Sequence, residues 1–298
     1  MIQFSTIIKG SAFVAFAILF YLLLVQLSST PVEEHFPLQS KVIPYDLFNP
    51  ETVWYTGVPE ISGIAYTEQG FAVVQDELAR IDFLSLDKGE IQSFYSFGKR
   101  GDYEDITAIG ESFLVLRSDG LLIKVDAQNE KQENVKTDLP ASANLEGLWF
   151  DPSDSILWAA SKHRGKNNSR KDRTIYTAKY KFKNKKELNF HNQFELKGKE
   201  VSKIYNTDLL SKIEKRRTTN GVVFQPAAIA KNPLTGDLWI LSGDPSGILI
   251  CSKKGKIKSA FGISSTMWPQ PEGMAFAPDG TLYIASEITN AIYVYKPK

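Results

Sequence analysis

Short apolar runs alternate with polar turns along most of the chain, and a similar phrase opens five of these runs. The phrases are ISGIAY at Ile61, DITAI at Asp105, LEGLWFDP at Leu145, PAAIAKNP at Pro226 and PEGMAFAPDG at Pro271. Aligned on Ser62, Asp105, Glu146, Ala227 and Glu272, they lie 43, 41, 81 and 45 residues apart. A period of about 40 to 50 residues is typical of the blades of a β-propeller.

A turn and further apolar runs follow each phrase and predict antiparallel strands. The turns FDPSDS, KNPLTGD and APDG are rich in Asp, Pro and Gly, and β-branched and aromatic residues flank them. Third strands are predicted at ARIDFLSL, GLLIKVDA, TIYTAKYKF, GILICSKKG and AIYVYKPK, and fourth strands at EIQSFYSFG, ENVKTDL, HNQFELKG and KIKSAFGI. Four antiparallel strands in a unit are what a propeller blade requires.

The step of 81 residues between the third and fourth phrases is too long for one blade. Two of the predicted outer strands complete the third unit, which leaves about Lys199 to Phe224 unassigned. Apolar residues recur there near helical spacing, and LLSKIEKRR predicts a surface helix. We therefore expect a basic helical insertion around 199–217 rather than a sixth blade.

The fifth unit contains only three predicted strands and ends at Lys298. An unfinished last blade would expose a sheet edge, which closed propellers avoid. The segment KVIPYDLF, Lys41 to Phe48, is the natural donor of the missing outer strand. The predicted fold is therefore an all-β, five-bladed β-propeller over 42–298, closed by an N-terminal strand.

An uncharged and almost wholly apolar stretch, Ser11 to Leu27, precedes this domain. Its length approaches the roughly 20 residues needed to cross a bilayer, so residues 1–28 are predicted to hold a transmembrane helix and residues 29–41 a polar tether. Lys9 precedes the stretch and acidic residues follow it, which places the propeller in the periplasm or outside the cell and the N-terminus in the cytoplasm. A cleaved signal peptide has the same pattern, but VQLSSTP lacks a clean small-x-small cleavage site.

The net charge of +1 conceals an uneven distribution along the chain. The stretch from Lys162 to Arg217 contains 18 basic and 6 acidic residues, so the rest of the chain carries a net charge of −11. The basic stretch is either a solvated insertion or a surface for anionic lipids or another polyanion. Few aromatic residues interleave with its charges, so nucleic-acid binding is not expected.

The repeated phrase also predicts a candidate metal site. The first strand of each blade lines the central channel, so the aligned positions form a ring at one mouth of that channel. The acidic residues of this ring and its surroundings are Asp105, Glu146, Glu272, Glu104 and Glu60. Converging carboxylates require a counter-charge, and calcium accepts six to eight oxygen ligands in loose geometry. Calcium is therefore the predicted ion.

The second strands are predicted to end on the same face of the propeller. Their last residues are Gln75, Arg117, Ser161, Ser242 and Ser286, and Asp76, Lys162 and Glu287 follow three of them. An alternative explanation of the ring is that its acids cap strand starts or pair with Arg117 and Lys162.

Other kinds of site find little support in the sequence. His35, His163 and His191 share no spacing, so a zinc site is not expected. Cys251 is the only cysteine and has no partner for an internal disulfide. GxSxG, P-loop and HExxH motifs do not occur, and no catalytic residue can be assigned.

The phrases NLEGLWFDP, QPAAIAKNPLTGDLWILS and QPEGMAFAPDGTLYIASE, together with the N-terminal apolar stretch, resemble the bacterial SdiA-regulated family, which is distantly similar to NHL-repeat propellers. The resemblance covers roughly Val42 to Lys298. It implies a five-bladed propeller with bound calcium, and it implies no reaction.

Two functions are compatible with these observations. The first is a membrane-anchored, calcium-binding propeller that binds or scaffolds an unknown protein or small molecule at the channel mouth. The second is a calcium-dependent hydrolase, similar to propeller lactonases or phosphoesterases, in which Glu146 or Glu272 acts as the base. The absence of a recognisable base and nucleophile pair favours the binding function.

Overall fold

The computed structural model describes residues 44–163, 172–181, 186–205, 223–263 and 265–298, without the side chains of 202–205. Contacts between residues group Ser40–Lys298 into one compact unit. The predicted transmembrane helix, the tether and most of the basic stretch lie outside the described residues. Within the described part of the chain, no helix has both the length and the apolar character that crossing a bilayer requires.

The domain is an all-β, five-bladed propeller, as the repeated phrase predicts. The first strand of the described residues is β1 (Thr52–Tyr55), which belongs to the last blade. Blade 1 contains β2 (Ile61–Thr67), β3 (Gly70–Gln75), β4 (Arg80–Leu84) and β5 (Ile91–Ser96). Blade 2 contains β6 (Tyr103–Ile109), β7 (Ser112–Arg117), β8 (Leu122–Asp126) and β9 (Lys131–Thr137). A 3₁₀ turn, Ala141–Ala143, leads into the third blade.

The remaining blades repeat the same antiparallel order. Blade 3 contains β10 (Leu145–Asp151), β11 (Ile156–Ser161), β12 (Arg173–Lys179) and β14 (His191–Leu196). Between the last two, β13 (Glu187–Leu188) pairs in parallel with β9 and widens blade 2 to five strands. Blade 4 contains β15 (Pro226–Lys231), β16 (Leu238–Ser242), β17 (Gly247–Cys251) and β18 (Ile257–Gly262). Blade 5 contains β19 (Pro271–Phe276), β20 (Leu282–Ser286) and β21 (Ala291–Tyr295).

The five innermost strands, β2, β6, β10, β15 and β19, contact one another in a closed ring. Each of the five hydrophobic cores lies between two neighbouring blades and not within a single sheet. For example, Val74 and Ile81 of blade 1 pack with Ile106 and Val115 of blade 2. The blades therefore depend on one another for burial of their apolar faces.

A strand from the N-terminal side closes the ring, but it is not the predicted segment. The strand is β1, which pairs antiparallel with β21 so that Thr52 lies opposite Val294. Trp54 fixes this strand by packing on Phe71 and Tyr283, with ring centroids 6.0 and 5.8 Å apart. The prediction of Lys41–Phe48 as the closing strand was therefore wrong.

The described part of that segment has a different role. Tyr45 and Leu47 are buried in the core between blades 4 and 5. The Tyr45 hydroxyl donates to the Gly280 carbonyl at 2.5 Å and accepts from Asn232 Nδ2 at 3.1 Å. Two buried hydrogen bonds and its aromatic ring hold the Tyr45 side chain in this core. Its backbone does not join the sheet.

The surface helix predicted at LLSKIEKRR lies outside the described residues, but a helix precedes it. This helix, α1 (Gly198–Tyr205), follows β14 and packs against β18. Asp172 fixes its start, because its Oδ1 accepts from the Gly198 N–H at 3.0 Å. The remainder of the insertion, 206–217, lies outside the described residues.

Candidate metal centre

Every innermost strand begins with a β-bulge at the channel mouth. In β6, Tyr103 pairs with Arg117 and Asp105 pairs with Leu116, so Glu104 between them has no partner in the ladder. The bulged residues of the other blades are Ser62, Glu146, Ala227 and Glu272. A bulge redirects a side chain away from its strand. The equivalent residue in blade 2 is therefore Glu104, and the alignment of Asp105 with the others was wrong by one residue.

Both carboxylate oxygens of Asp105 accept hydrogen bonds from backbone N–H groups, one in its own blade and one in the next blade. Its Oδ2 accepts from the Leu148 N–H at 2.6 Å, and its Oδ1 accepts from the Ile106 N–H at 2.8 Å. The equivalent positions in the other blades hold glycine or alanine, because the innermost strands approach one another closely there. A Cβ on Gly63 would lie 2.5 Å from the Asp105 Cα. Asp105 thus joins blades 2 and 3 at the level just below the mouth.

A group of three carboxylates forms the nearest approach to a metal site. Asp76, Asp102 and Glu104 each place a carboxylate oxygen within 4.8 Å of the others. Asp76 follows β3, while Asp102 and Glu104 flank the first residue of β6. Asp102 Oδ2 also accepts from the Ser118 hydroxyl. Two adjacent blades therefore bring three acidic side chains to one point.

Glu146 adds a fourth carboxylate and carries an oxygen without a partner. Its Oε1 lies 2.7 Å from Lys162 Nζ and accepts from Asn144 Nδ2 at 2.8 Å. Its Oε2 is buried and has no hydrogen-bond partner. The residue is only 3% exposed, so this oxygen has no compensating contact with solvent. A buried, unpartnered carboxylate oxygen is costly unless a ligand satisfies it.

Glu272 approaches the same group from blade 5. A Cβ on Gly243 would lie 2.9 Å from Glu272 Oε1, so the absence of a side chain at Gly243 makes room for this carboxylate. Burial raises the pKa of Glu272, and the charges of Glu146, Glu287 and Asp76 raise it further. Blades 1, 2, 3 and 5 therefore contribute acids whose charges act on one another.

The raised pKa values of these acids show that burying them close together disfavours their ionised forms. Burial, followed by the charges of neighbouring acids, raises the pKa of Glu104 to about 10. The same two causes raise that of Glu272 to about 8, against an opposing effect of Lys162. Burial raises the pKa of Glu146 to about 7 although Lys162 opposes it. Burial and a hydrogen bond with Asp102 raise that of Asp76 to about 6.

Lys162 is the basic group that acts on these acids most directly. Burial lowers its pKa, but the pairing with Glu146 and the charges of Glu272 and Glu104 outweigh burial and raise it. Arg117, at the rim, is engaged in a bidentate pair with Asp119, at 2.9 and 2.6 Å. Lys162 and Glu146 therefore form the ion pair that the alternative explanation predicted. Among the described residues, no ion pair of this kind is found for Glu104, Glu272 or Asp76.

The remaining predicted residues lie at the rim of the mouth or in the framework. Glu60 is exposed; burial raises the pKa of Asp76 and of Glu287, and the charge of Glu60 adds to both shifts. The second strands end opposite the bulges, as predicted, with Gln75, Arg117, Ser161, Ser242 and Ser286 paired to the first residues of the innermost strands. The hydroxyls of Ser161 and Ser242 accept backbone N–H groups of Thr174 and Gln225, so they are structural.

Asp102 was not predicted from the sequence, although a signal for it exists. The apolar residues Ile64, Ile106, Leu148, Ile229 and Met274 occupy the same place in every innermost strand. Alignment on these residues places Asp102 in blade 2 where Glu60 stands in blade 1. Aligning the repeats on their apolar residues would therefore have predicted Asp102 as an acid of the mouth.

The fold and this mouth define a five-bladed β-propeller with a buried acidic cluster at one end of its channel. The chain belongs to the SdiA-regulated family, whose sequence profile matches residues 54–296. No curated protein sequence matches the chain.

Solved structures with the same fold share little sequence with this chain. The glutaminyl cyclase of Myxococcus xanthus is 11% identical, with a TM-score of 0.57 over 83% of this chain and 95% of that protein. A Bacteroides thetaiotaomicron protein of unknown function is 11% identical, with a TM-score of 0.50 over 79% of this chain and 57% of its own. A gluconolactonase of Xanthomonas campestris is 12% identical, with a TM-score of 0.48 over 80% and 72%. At 11% identity, the likeness to the first two structures concerns the propeller fold alone.

Proposed function

We propose that the propeller binds a calcium ion at its acidic mouth and acts as a membrane-anchored, extracytoplasmic binding module. The observation that carries this proposal is the approach of the Asp76, Asp102 and Glu104 carboxylates to within 4.8 Å of one another. Glu146, whose charge acts on Glu104, adds a buried, unpartnered Oε2.

Calcium fits this set of donors better than zinc does. The donors are carboxylate oxygens from separate strands and loops, and calcium accepts six to eight oxygens at flexible positions. Zinc prefers four ligands, mostly nitrogen and sulfur, which this mouth does not supply among the described residues. A bound divalent cation would favour the ionised forms of acids whose pKa values burial has raised.

The binding role follows from the open side of the same face. Of the three clustered acids, Asp102 is exposed and Asp76 and Glu104 are half-buried, so the solvent side of a bound ion would remain available for oxygen atoms of a ligand. A carboxylate, phosphate or polyhydroxyl group on a small molecule or protein partner would complete the coordination. The same ion would then contact both the partner and the acids at the channel mouth.

The proposed location rests on the sequence before the propeller. The apolar stretch Ser11 to Leu27 would anchor the protein in the inner membrane, with the propeller in the periplasm or outside the cell. The basic stretch between Lys162 and Arg217 would face anionic headgroups or another polyanion.

One observation favours a second function, calcium-dependent hydrolysis. The pKa of Glu146 is raised to about 7, near the value that serves a general base at neutral pH. In this function the ion would polarise a substrate oxygen and Glu146 would accept a proton from water. Turnover of a lactone or phosphoester that chelation abolishes and Glu146→Gln removes would replace the binding proposal with this one.

Calcium titration of wild-type protein by calorimetry tests the binding proposal. We expect one saturable site, and an affinity at least tenfold weaker in Glu104→Gln and in the Glu146→Gln, Glu272→Gln double variant. Glu111→Gln is the matched control, since Glu111 is exposed in the β6–β7 turn at the opposite end of the channel. Equal affinities in all four proteins, or no binding by the wild type, would refute the proposal.

Protease treatment of intact and wall-permeabilised cells tests the location. We expect the propeller to become digestible once the outer layers are opened, while a cytoplasmic marker protein stays intact. Protection of the propeller until the inner membrane is lysed would place it in the cytoplasm.

A further inference from the structure

The opposite end of the central channel contains a cavity of about 310 Å³. It lies between the C-terminal halves of the five innermost strands and begins two residues beyond the bulged residues of the acidic mouth, which is ~7 Å along a strand. Its side chains are apolar or aromatic except for Thr107, Lys231 and the Tyr66 hydroxyl. This volume is at the lower limit of about 300 to 1,000 Å³ for small-molecule sites.

Each innermost strand supplies one half-exposed residue to this cavity. These residues are Tyr66, Ala108, Trp149, Lys231 and Phe276. Three of the five are aromatic, and two of the rings are held by neighbours. Tyr66 stacks on Tyr283 with an interplanar angle of 20°, and Phe276 meets Trp239 edge to face at 5.3 Å. The walls thus present rings in defined orientations.

Lys231, the one cationic group among the described residues of the lining, is already paired with acids. Lys231 Nζ lies 2.8 Å from both oxygens of Asp151 and 3.2 Å from the Ser153 hydroxyl, and it sits 5.4 Å from the centre of the Trp149 ring. The second oxygen of Asp151 also accepts from Lys253 Nζ at 2.7 Å, and Lys253 pairs in turn with Asp154 at 2.8 Å. Two lysines and two aspartates therefore balance within this group, so the Lys231 charge is not left unpaired for a ligand.

The cavity retains polar capacity through the backbone. Each innermost strand is the last strand of its sheet, so one edge of its backbone faces the channel without a neighbouring strand. Such edges carry N–H and C=O groups that seek hydrogen-bond partners. The Thr107 hydroxyl satisfies one of them by accepting from the Phe150 N–H at 3.0 Å. A ligand with its own hydrogen-bonding group would satisfy others.

We propose that this cavity, the aromatic pocket, binds an uncharged planar aromatic molecule that carries a hydroxyl or amide group. The rings of Tyr66, Trp149 and Phe276 supply the apolar and stacking contacts. The strand edges supply the polar contacts, and the balanced lysine and aspartate group disfavours a ligand with a net charge. The aromatic pocket is separate from the acidic mouth and does not depend on calcium.

Calorimetry with three naphthalene probes of equal ring size tests this proposal. The probes are neutral 2-naphthol, anionic 2-naphthoate and cationic 2-naphthylmethylammonium, each titrated into the full-length protein with a matched blank for buffer and detergent. We expect saturable binding of one 2-naphthol per chain, unchanged by calcium or a chelator, and at least tenfold weaker binding of both charged probes. No saturable binding of 2-naphthol, or equal binding of all three probes, would overturn the proposal.

Two variants locate the bound probe. Ala108→Trp should fill the pocket and weaken 2-naphthol binding at least tenfold, whereas Ala141→Trp adds the same side chain at an exposed position outside it. Trp149→Leu removes one aromatic wall and should weaken binding severalfold. Melting curves establish that each variant is folded. Wild-type affinity in folded Ala108→Trp, or in folded Trp149→Leu, would place the probe elsewhere and refute the assignment.

Discussion

The Glu146 carboxylate lies 2.7 Å from the Lys162 ammonium through Oε1, while its Oε2 is buried without a partner. This ion pair neutralises one of the acids at the mouth and leaves the pKa values of Glu104, Glu272 and Asp76 raised. The mouth of the metal-free protein is therefore electrostatically unfavourable at neutral pH, and a divalent cation would relieve it.

The first prediction concerns stability and pH without metal. The pKa values of Glu104, Glu146 and Glu272 rise from 4.5 to about 10, 7 and 8 on folding. The folded state then binds more protons than the unfolded state above pH 4.5, so the free energy of unfolding falls as pH increases. We expect urea denaturation with a chelator to show lower stability at pH 8 than at pH 5.

Excess calcium should remove or reverse that slope, because the ion favours the ionised carboxylates. The Glu104→Gln variant should also show a shallower slope, since its side chain does not ionise. A chelated wild type that becomes more stable from pH 5 to pH 8 would contradict the electrostatic description of the mouth.

The second prediction concerns Lys162. Its removal takes a positive charge away from the cluster and frees Glu146, so Lys162→Met should bind calcium more tightly. We expect about a tenfold gain, equivalent to ~1.4 kcal/mol, in calorimetry at pH 8.5, where protons compete least. Lys124→Met is the control, since Lys124 pairs with Glu133 on an outer strand. A weaker affinity in Lys162→Met would show that this lysine supports the site.

The third prediction separates Asp105 from the metal ligands. Asp105→Ala leaves the N–H groups of Ile106 and Leu148 without their partner. Each unsatisfied buried group costs about 1 to 3 kcal/mol, so urea denaturation of the metal-free proteins should show a loss of at least ~2 kcal/mol.

Calcium affinity of folded Asp105→Ala should stay within about twofold of the wild type. A loss of affinity comparable with that of Glu104→Gln would restore Asp105 as a ligand.

The difference between Asp105 and Glu104 shows what the sequence could and could not provide. The period of the repeat predicted five blades, their third and fourth strands and the face on which the acids gather. It did not predict the bulge, because the phrase DITAI resembles the other phrases when shifted by one residue. Alignment on Ile106 would have assigned this position, and the strand pairing of Tyr103 with Arg117 establishes Glu104 in the bulge.

The closing strand shows a second limit of the sequence. The sequence predicted only three strands for blade 5 and therefore a fourth from an N-terminal segment. The pairing of β1 with β21 confirmed that an N-terminal segment completes this blade. Both Lys41–Phe48 and Thr52–Tyr55 contain apolar and β-branched residues, so the pattern alone did not distinguish them. The choice depends on long-range packing, of Trp54 on Tyr283 and of Tyr45 beneath blades 4 and 5.

The fourth prediction tests this closure with two neighbouring residues. Trp54 packs on Phe71 and Tyr283, whereas Tyr55 is 78% exposed. Trp54→Ala should reduce the free energy of unfolding by about 2 to 4 kcal/mol, while Tyr55→Ala should change it by less than ~1 kcal/mol. Thermal and urea denaturation measure both effects. Equal losses in the two variants would show that burial of Trp54 does not hold the closing strand.

The most direct test of a calcium-binding mouth is an anomalous-scattering map of crystals grown with calcium. The account predicts a peak at the channel mouth with carboxylate oxygens of Asp76, Asp102 and Glu104 about 2.3 to 2.6 Å away. The peak should be absent from crystals of Glu104→Gln prepared in the same way. A mouth with no anomalous peak in the wild type, its acids instead protonated or paired with Lys162, would contradict the central claim.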